Sequence, residues 1–258
     1  MKITVCSPSY KRPEVKTLEY LPFCRVYVAP EEAEDYQKHN HGADITACRS
    51  GIQGNVARVR NYILDVEFAN GADAVAIVDD DMTCMGYHEN GNTRHKLPAS
   101  DFMGFLEKYT HMAQDMGVKL WGVNVNFDPQ CYRMCSPFST LSFIGGPFGC
   151  FLRGNVCRYD EALPLKEDYD MTIQQINRYR GVLRINKYWY NVKQSCQAGG
   201  CAAIRNFNKE LEQLQLLQKK WGSRIVRFDH LDRNHKRKKD RTATFDYNPV
   251  IRVPIKGI

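Results

Sequence analysis

The stretch that decides the fold is Val75-Ala76-Ile77-Val78-Asp79-Asp80-Asp81, an apolar run that ends in three consecutive carboxylates. The run predicts a buried strand. Three adjacent anions at the end of such a strand repel one another unless a cation or hydrogen-bond donors compensate them. Ligands of open α/β sheets collect at the carboxyl ends of strands, where Asp79 and Asp81 would offer oxygen ligands to Mg²⁺ or Mn²⁺. An ordinary acidic turn is the alternative.

Length and composition exclude several classes of protein. The chain has 258 residues, of which 43% are hydrophobic and 25% charged, and this is typical of a soluble globular domain. No apolar run approaches the ~18 residues that cross a bilayer, and residues 1–6 lack the layout of a signal peptide. We therefore expect a cytoplasmic protein whose ten cysteines are reduced thiols.

The positive charge is confined to one end of the chain. The net charge is +7, and segment 219–241 alone holds ten Lys or Arg against three Asp, which leaves 26 basic and 26 acidic residues elsewhere. Such a block indicates a polyanionic partner such as DNA, and a solvated tail is the alternative. We predict one domain over residues 1–218, followed by a basic C-terminal segment over 219–258 that packs on the same domain.

Hydrophobic periodicity predicts strands that alternate with helices. The predicted strands lie at 3–6, 25–28, 75–78, 120–125, 182–185, 188–192 and 250–253, and the predicted helices begin near Asn55, Pro98, Lys166 and Asn206. Segment 86–94 is rich in Gly, Asn and His, which predicts a mobile loop beside the carboxylates. The pattern as a whole predicts an α/β fold with a mixed, mostly parallel sheet.

Further candidate site residues follow from their positions beside these elements. Arg58 and Arg60 lie in the first turns of a predicted helix, where they can reach an anion above the sheet, although helix arginines often serve only solvation. Gly145 and Gly146 would let the backbone approach a ligand closely, or would form a plain tight turn. Asp168 lies in an acidic group at a helix start, where it is either a cap or a general base.

Four segments, in this order, resemble the signatures of nucleotide-sugar glycosyltransferases with the GT-A fold. They are Pro8-Ser9-Tyr10-Lys11-Arg12-Pro13, Ala57-Arg58-Val59-Arg60-Asn61, Asp79-Asp80-Asp81 and Glu167-Asp168. The resemblance implies a single Rossmann-like nucleotide-sugar-binding domain. Within that fold, the Asp-Asp-Asp-Met and Lys-Glu-Asp-Tyr-Asp-Met segments and the basic tail are most similar to the TET-associated glycosyltransferases. These phage-type enzymes add sugars to hydroxymethylated pyrimidines in DNA.

The resemblance also implies how the donor is bound. Tyr10 and Arg12 would line the pocket for the nucleotide base. Arg60 would contact the nucleotide, and Arg58 is a weaker candidate for the same role. The donor would be a nucleoside-diphosphate sugar, with UDP-sugars first among the candidates.

The resemblance implies a metal ion and a base as well. Asp79 would lie near the ribose and the metal, and Asp81 would ligate the Mn²⁺ or Mg²⁺ that bridges the diphosphate. Asp168 would remove the proton of the acceptor hydroxyl. Members of the family often add a late histidine to the metal, and His230 and His235 are both available for that role.

These inferences converge on an enzyme. We expect a metal-dependent hexosyl- or pentosyltransferase that modifies 5-hydroxymethylcytosine or a related base in DNA, in the cytoplasm of an infected host if the chain is of phage origin. A GT-A transferase for a protein, lipid or polysaccharide acceptor is one alternative. An inactive nucleic-acid-binding module is another.

Overall fold

The computed structural model describes residues 1–192, 205–228 and 248–252. The strands in this part of the chain are β1 (Ile3–Pro8), β2 (Arg25–Val28), β3 (Ile45–Ala47), β4 (Ala74–Val78), β5 (Met82–His88), β6 (Arg94–Lys96), β7 (Leu120–Asn124), β8 (Phe138–Ser139), β9 (Phe148–Leu152), β10 (Leu183–Val192), β11 (Val226–Arg227) and β12 (Val250–Ile251). The α-helices are α1 (Thr17–Tyr20), α2 (Ala33–His39), α3 (Val56–Ala69), α4 (Phe102–Asp115), α5 (Glu167–Tyr179) and α6 (Phe207–Trp221).

One mixed sheet organises the molecule. Within the described ranges it has ten strands in the order β3-β2-β1-β4-β9-β7-β10-β5-β6, and β8 pairs with β10. Strands β1 to β4 are mutually parallel. Strand β9 runs antiparallel between β4 and β7, so β7 and its parallel neighbour β10 resume the direction of β4. The predicted α/β class with a mixed, mostly parallel sheet is confirmed.

Strand β4 is buried along its whole length and divides the core into two layers. Ala74, Ala76 and Val78 pack on the face that α4 covers. Val75 and Ile77 pack on the opposite face, with residues of α3 and α5. Because side chains alternate along a strand, the next odd-numbered residue, Asp79, continues the face of α3 and α5.

Helix α3 begins where the sequence predicts. The side chain of Asn55 accepts hydrogen bonds from the backbone nitrogens of Ala57 and Arg58, at 3.0 and 3.3 Å, and therefore caps the helix. The helix ends at Ala69, and Gly71 follows with a φ of 86° that suits glycine. These bounds place Arg60 in the second turn, on the buried side of the helix.

The prediction of a mobile loop over 86–94 is wrong at both ends. Residues 86–88 belong to β5, and β6 begins at Arg94. The glycine that suggested a loop is required by packing, because a Cβ at Gly86 would lie 2.2 Å from Cζ2 of Trp189 and 2.3 Å from the carbonyl oxygen of His95. Strand β5 begins at Met82, directly after the three aspartates, and continues through Gly86 to His88.

The two strands predicted at 182–185 and 188–192 form one strand, β10. Its pairing with β7 shifts in register between Ile185 and Trp189, at the position where the two predicted segments meet.

Helix α6 packs against α5 through Leu214 and Leu217, which contact Ile173 in a separate small core. Strand β12 pairs with β11 just after α6. The domain division at residue 218 stays a prediction. Among the described residues, no helix combines the length and the apolar character that crossing a membrane requires.

Candidate active site

Arg60 joins the end of β4 to the start of α5. Its Nη2 donates to Oδ1 of Asp79 at 2.7 Å and to the carbonyl oxygen of Gly146 at 3.1 Å, while Nη1 donates to Oε1 of Glu167 at 3.0 Å. The Arg60 side chain is only 3% exposed, and the Asp79 side chain is 30% exposed. The guanidinium is therefore a buried group that links Asp79 to Glu167, whereas the carboxylate of Asp79 reaches solvent.

The charges around Arg60 do not balance, because one guanidinium faces Asp79, Glu167 and Asp168. Burial, followed by the negative charge of Asp168, raises the pKa of Glu167 to about 8. Burial also raises the pKa of Asp168, although Arg60 and hydrogen bonds from Gly146 and Tyr169 act in the opposite direction. Carboxyl groups thus outnumber cations around Arg60, as expected of a site that receives a cation or a proton.

Asp168 is held by two backbone donors. Its Oδ2 accepts from the nitrogen of Gly146 at 3.1 Å, and its Oδ1 accepts from the nitrogen of Tyr169 at 2.8 Å. The residue lies in the first turn of α5 and is partly exposed. Its carboxylate is therefore fixed in orientation.

Protein groups crowd the space that side chains at Gly145 and Gly146 would take, and the crowding is severe at Gly145 and slight at Gly146. A Cβ at Gly145 would lie 2.4 Å from the Tyr190 hydroxyl, and a Cβ at Gly146 would lie 3.2 Å from Nη1 of Arg60. The close approach that the sequence predicts is thus made by this chain's own residues. Whether a ligand also contacts the two glycines stays a prediction.

The three aspartates have different surroundings. Asp80 is buried, and its carboxylate accepts from Oγ of Ser9 at 2.5 Å and from Nη1 of Arg12 at 3.1 Å. Oγ of Ser9 also lies 2.9 Å from the hydroxyl of Tyr36. Asp80 therefore anchors the loop after β1 to the end of β4, which is a structural role.

Asp81 has less compensation. The nearest cation among the described residues is Arg12, with 4.0 Å between Nη1 and Oδ2 of Asp81. Burial, and then the negative charges of Asp79 and Asp80, raise the pKa of Asp81 to about 7. A carboxylate in this situation is one that a cation would stabilise.

The donor set fits a hard divalent cation. Asp79 and Asp81 offer carboxylate oxygens, and Mg²⁺ typically binds one or two carboxylates together with substrate phosphates. Over the described residues, no three His, Cys, Asp or Glu side chains are arranged to hold a metal ion by themselves. The phosphates of a donor would have to complete the coordination.

The other predicted donor contacts occupy two places. Arg12 and Tyr10 lie in the loop after β1, where the Nζ of Lys11 sits 5.0 Å from the centre of the Tyr10 ring. Arg58 points away from the carboxylates, because its Nε donates to Glu161 at 2.8 Å and its Nη1 donates to the carbonyl oxygen of Gly51 at 2.9 Å. The structure therefore brings Arg12, but not Arg58, to the three aspartates. Nucleotide contacts by these residues stay predictions.

Two residues of the site had no sequence signal. Tyr190 is buried in β10, and burial together with the charges of Asp168 and Asp79 raises the pKa of its hydroxyl. Tyr159 lies with its ring centre 5.6 Å from Cζ of Arg60. Both look like ordinary core aromatics in the sequence. The two candidate histidines, His230 and His235, and the basic run 233–241 lie outside the described residues.

Comparison with solved structures supports the fold. Glucosyl-3-phosphoglycerate synthase from Mycobacterium tuberculosis, solved with Mg²⁺ and uridine diphosphate, superposes with a TM-score of 0.50 at 11% identity, and the match covers 90% of this chain and 85% of that one. At this identity the similarity shows the fold alone. The chain thus has a GT-A-like α/β fold. No protein-family model matches the sequence, and no curated protein matches it.

Two further structures are similar at lower scores. S. aureus TarS 1-349 has a TM-score of 0.47 and 12% identity, with 84% of this chain covered. A putative nucleotide-diphospho-sugar transferase from Desulfovibrio desulfuricans has a TM-score of 0.44 and 12% identity, with 86% of this chain and 99% of that chain covered. The match spans only 64% of the length of the TarS fragment.

Proposed function

We propose that this protein is a metal-dependent glycosyltransferase that moves a sugar from a nucleoside-diphosphate sugar to a hydroxymethylated pyrimidine in DNA. The observation that carries the proposal is the bridge made by Gly146. Its carbonyl oxygen accepts from Arg60, which also holds Asp79, and its nitrogen donates to Asp168. One loop thus joins a carboxylate suited to the donor and a carboxylate suited to the acceptor.

Asp168 has the properties of a general base. Its raised pKa makes it a better proton acceptor than an ordinary aspartate, and two backbone N–H groups fix its direction. In the proposed reaction, the acceptor hydroxyl gives its proton to Asp168 while the hydroxyl oxygen bonds to the anomeric carbon. The bond between that carbon and the diphosphate breaks, and its electron pair leaves with the nucleoside diphosphate.

The donor end of the site is assigned to the aspartates and to the loop after β1. Asp79 and Asp81 would hold Mn²⁺ or Mg²⁺, which when bound neutralises charge on the departing diphosphate. Asp80 holds the loop of Tyr10 and Arg12 in place through its hydrogen bonds with Ser9 and Arg12. The proposed base pocket is therefore fixed to the same aspartate segment that carries the proposed metal ligands.

The DNA acceptor is supported by charge. All of the excess positive charge lies in segment 219–241, and residues elsewhere sum to zero. A concentrated basic segment on an otherwise neutral protein suits a polyanionic acceptor better than a neutral one. The resemblance of the Asp-Asp-Asp-Met and Lys-Glu-Asp-Tyr-Asp-Met segments to those of the TET-associated glycosyltransferases favours the same acceptor.

The experiment that tests the proposal is mass spectrometry of nucleosides. DNA that contains 5-hydroxymethylcytosine is incubated with the protein, Mn²⁺ and a mixture of nucleotide sugars, and then digested. We expect a hydroxymethylated nucleoside that carries one added sugar. DNA with unmodified cytosine is the control and should yield none. Consumption of donor without any modified nucleoside would support a different acceptor.

A further inference from the structure

Arg184 on β10 is an arginine without a carboxylate partner. Its Nε donates to Oδ1 of Asn186 at 2.9 Å, and within the described ranges no Asp or Glu lies within ion-pair distance of it. The side chain is nevertheless partly buried. Other arginines with restricted exposure, such as Arg25 and Arg60, do face carboxylates.

Burial without a counter-charge has a cost. It lowers the pKa of Arg184, and the one titratable neighbour that offsets the effect is the hydroxyl of Tyr190. A guanidinium left in this state would be stabilised by an anion.

Asn186 fixes how the guanidinium is presented. The Asn186 side chain is itself held, because its Nδ2 donates to the carbonyl oxygen of Ser136 at 3.0 Å and to Oγ of Ser139 at 2.8 Å. Its Oδ1 is thereby turned toward Nε of Arg184. The two terminal nitrogens of Arg184 have no partner among the described residues and are not among the atoms sealed from solvent. They form a preorganised fork that a ligand can reach.

The fork lies on the same face of the sheet as the candidate active site. Arg184 is in register with Gly122 of β7, where a Cβ would lie 2.6 Å from Cγ2 of Ile144. Residues in register on neighbouring strands share a face, so Arg184 lies on the face that Ile144 covers. Ile144 is followed by Gly145, which contacts Tyr190, and by Gly146, which holds Asp168.

We propose that Arg184, held in place by Asn186, binds a phosphate group of the acceptor and so positions the reactive hydroxyl at Asp168. The planar guanidinium fork matches two phosphate oxygens, which makes arginine the preferred residue for this recognition. The assignment of the phosphate to the DNA backbone rests on the proposed function. The presence of a phosphate subsite does not.

The first experiment tests the subsite without any sugar transfer. The Nε–Hε signal of Arg184 is identified in an NMR spectrum by its loss in Arg184→Gln, and inorganic phosphate is then titrated against chloride at constant ionic strength. We expect the signal to shift with phosphate and not with chloride. An Arg184 signal that phosphate leaves unmoved would overturn the subsite.

The second experiment identifies the source of the phosphate. A duplex oligonucleotide with 5-hydroxymethylcytosine is prepared with single neutral methylphosphonate linkages at successive positions, and its affinity is measured for the parent protein and for Arg184→Gln. At one position, the parent should lose roughly ten- to a hundredfold in affinity, whereas Arg184→Gln should lose nothing further. Arg184→Gln should also reduce the slope of log affinity against log salt by about 0.9.

Two comparisons complete the test. Arg178→Gln removes an exposed arginine from the end of α5 and should keep the parent's response to every linkage. Thermal melts should show that Arg184→Gln remains folded. Independent, additive losses at all linkages would overturn the acceptor assignment. The protein could bind both inorganic phosphate and one DNA linkage through Arg184 and yet transfer no sugar. That result would support the phosphate subsite and contradict the proposed function.

Discussion

Nη2 of Arg60 lies 2.7 Å from Oδ1 of Asp79, so the second turn of α3 is tied to the residue that follows β4. The same guanidinium reaches Glu167 at the start of α5. Arg60 thus connects the three elements that carry the proposed donor and acceptor groups.

Removal of Arg60 should destabilise the protein strongly. Above pH 8, where Glu167 is ionised, Arg60→Gln leaves the buried carboxylate of Glu167 without its cation, and breaking a buried pair in this way costs about 3–5 kcal/mol. Urea denaturation measures the effect. The matched control is Arg158→Gln, whose 2.7 Å pair with Asp65 is exposed, and its cost should stay within ~1 kcal/mol. If both variants lost the same free energy of unfolding, Arg60 would not be a buried link between α3, β4 and α5.

The stability of the protein should fall with pH because of Glu167. An unfolded glutamate loses its proton near pH 4.5, whereas the folded pKa of Glu167 is about 8. Between these values the folded state binds more protons, so the free energy of unfolding decreases as pH rises, and the loss is complete above pH 8. Glu167→Gln cannot titrate and should flatten this part of the profile, measured by denaturation at a series of pH values. Parallel profiles for the two proteins would contradict the assignment.

Replacement of Asp80 and of its neighbour Asp81 by alanine should change the stability of the protein in different ways. Asp80→Ala removes the acceptor shared by Ser9 and Arg12 and should cost about 1–3 kcal/mol. Asp81→Ala removes a repelled carboxylate and should leave the metal-free protein at pH 8 as stable as the parent or more stable. Calorimetry should show that Asp81→Ala also loses the binding of a nucleoside diphosphate supported by Mn²⁺. Retention of that binding would remove Asp81 from the metal site.

The basic tail should contribute to DNA binding in proportion to its charge. Neutralising Lys236, Arg237, Lys238 and Lys239 together should weaken DNA binding and flatten its salt dependence by roughly 3 to 4 in slope, about 0.9 for each lost phosphate contact. Transfer at saturating DNA should persist, with a raised apparent KM. A variant with the parent's affinity and salt slope would favour the protein, lipid or polysaccharide acceptors.

Local signals predicted much of the fold. The apolar run of β4, the helix start near Asn55 and the periodic apolar positions of the long helices all depend on short windows of sequence, and their elements form where predicted. Segment 86–94 was mispredicted because the reason for Gly86 is Trp189, a residue about a hundred positions away. Sequence windows do not contain such long-range packing.

The candidate site divides in the same way. Asp79, Asp168 and the two glycines are brought together as the sequence suggests, because strand ends and helix starts meet at one edge of the sheet. Glu167 joins the site through its ion pair with Arg60, and Tyr190 joins it because its hydroxyl fills the space beside Gly145. Arg58 lies only two positions before Arg60 in the sequence, but its side chain pairs with Glu161 instead. Two residues that are two positions apart on a helix point to different faces.

The most direct test of the central claim is release of nucleoside diphosphate by the parent protein and by Asp168→Asn. Both are mixed with Mn²⁺, a panel of nucleotide sugars and hydroxymethylated DNA, and a single turnover is followed. The parent should release nucleoside diphosphate in step with glycosylated DNA, and Asp168→Asn should bind donor equally well but react on the order of 10² to 10⁴ times more slowly. If Asp168 served only as a helix cap, the variant would lose about 1 kcal/mol of stability and keep its rate. Equal rates, or no release by the parent with any donor, would contradict the account.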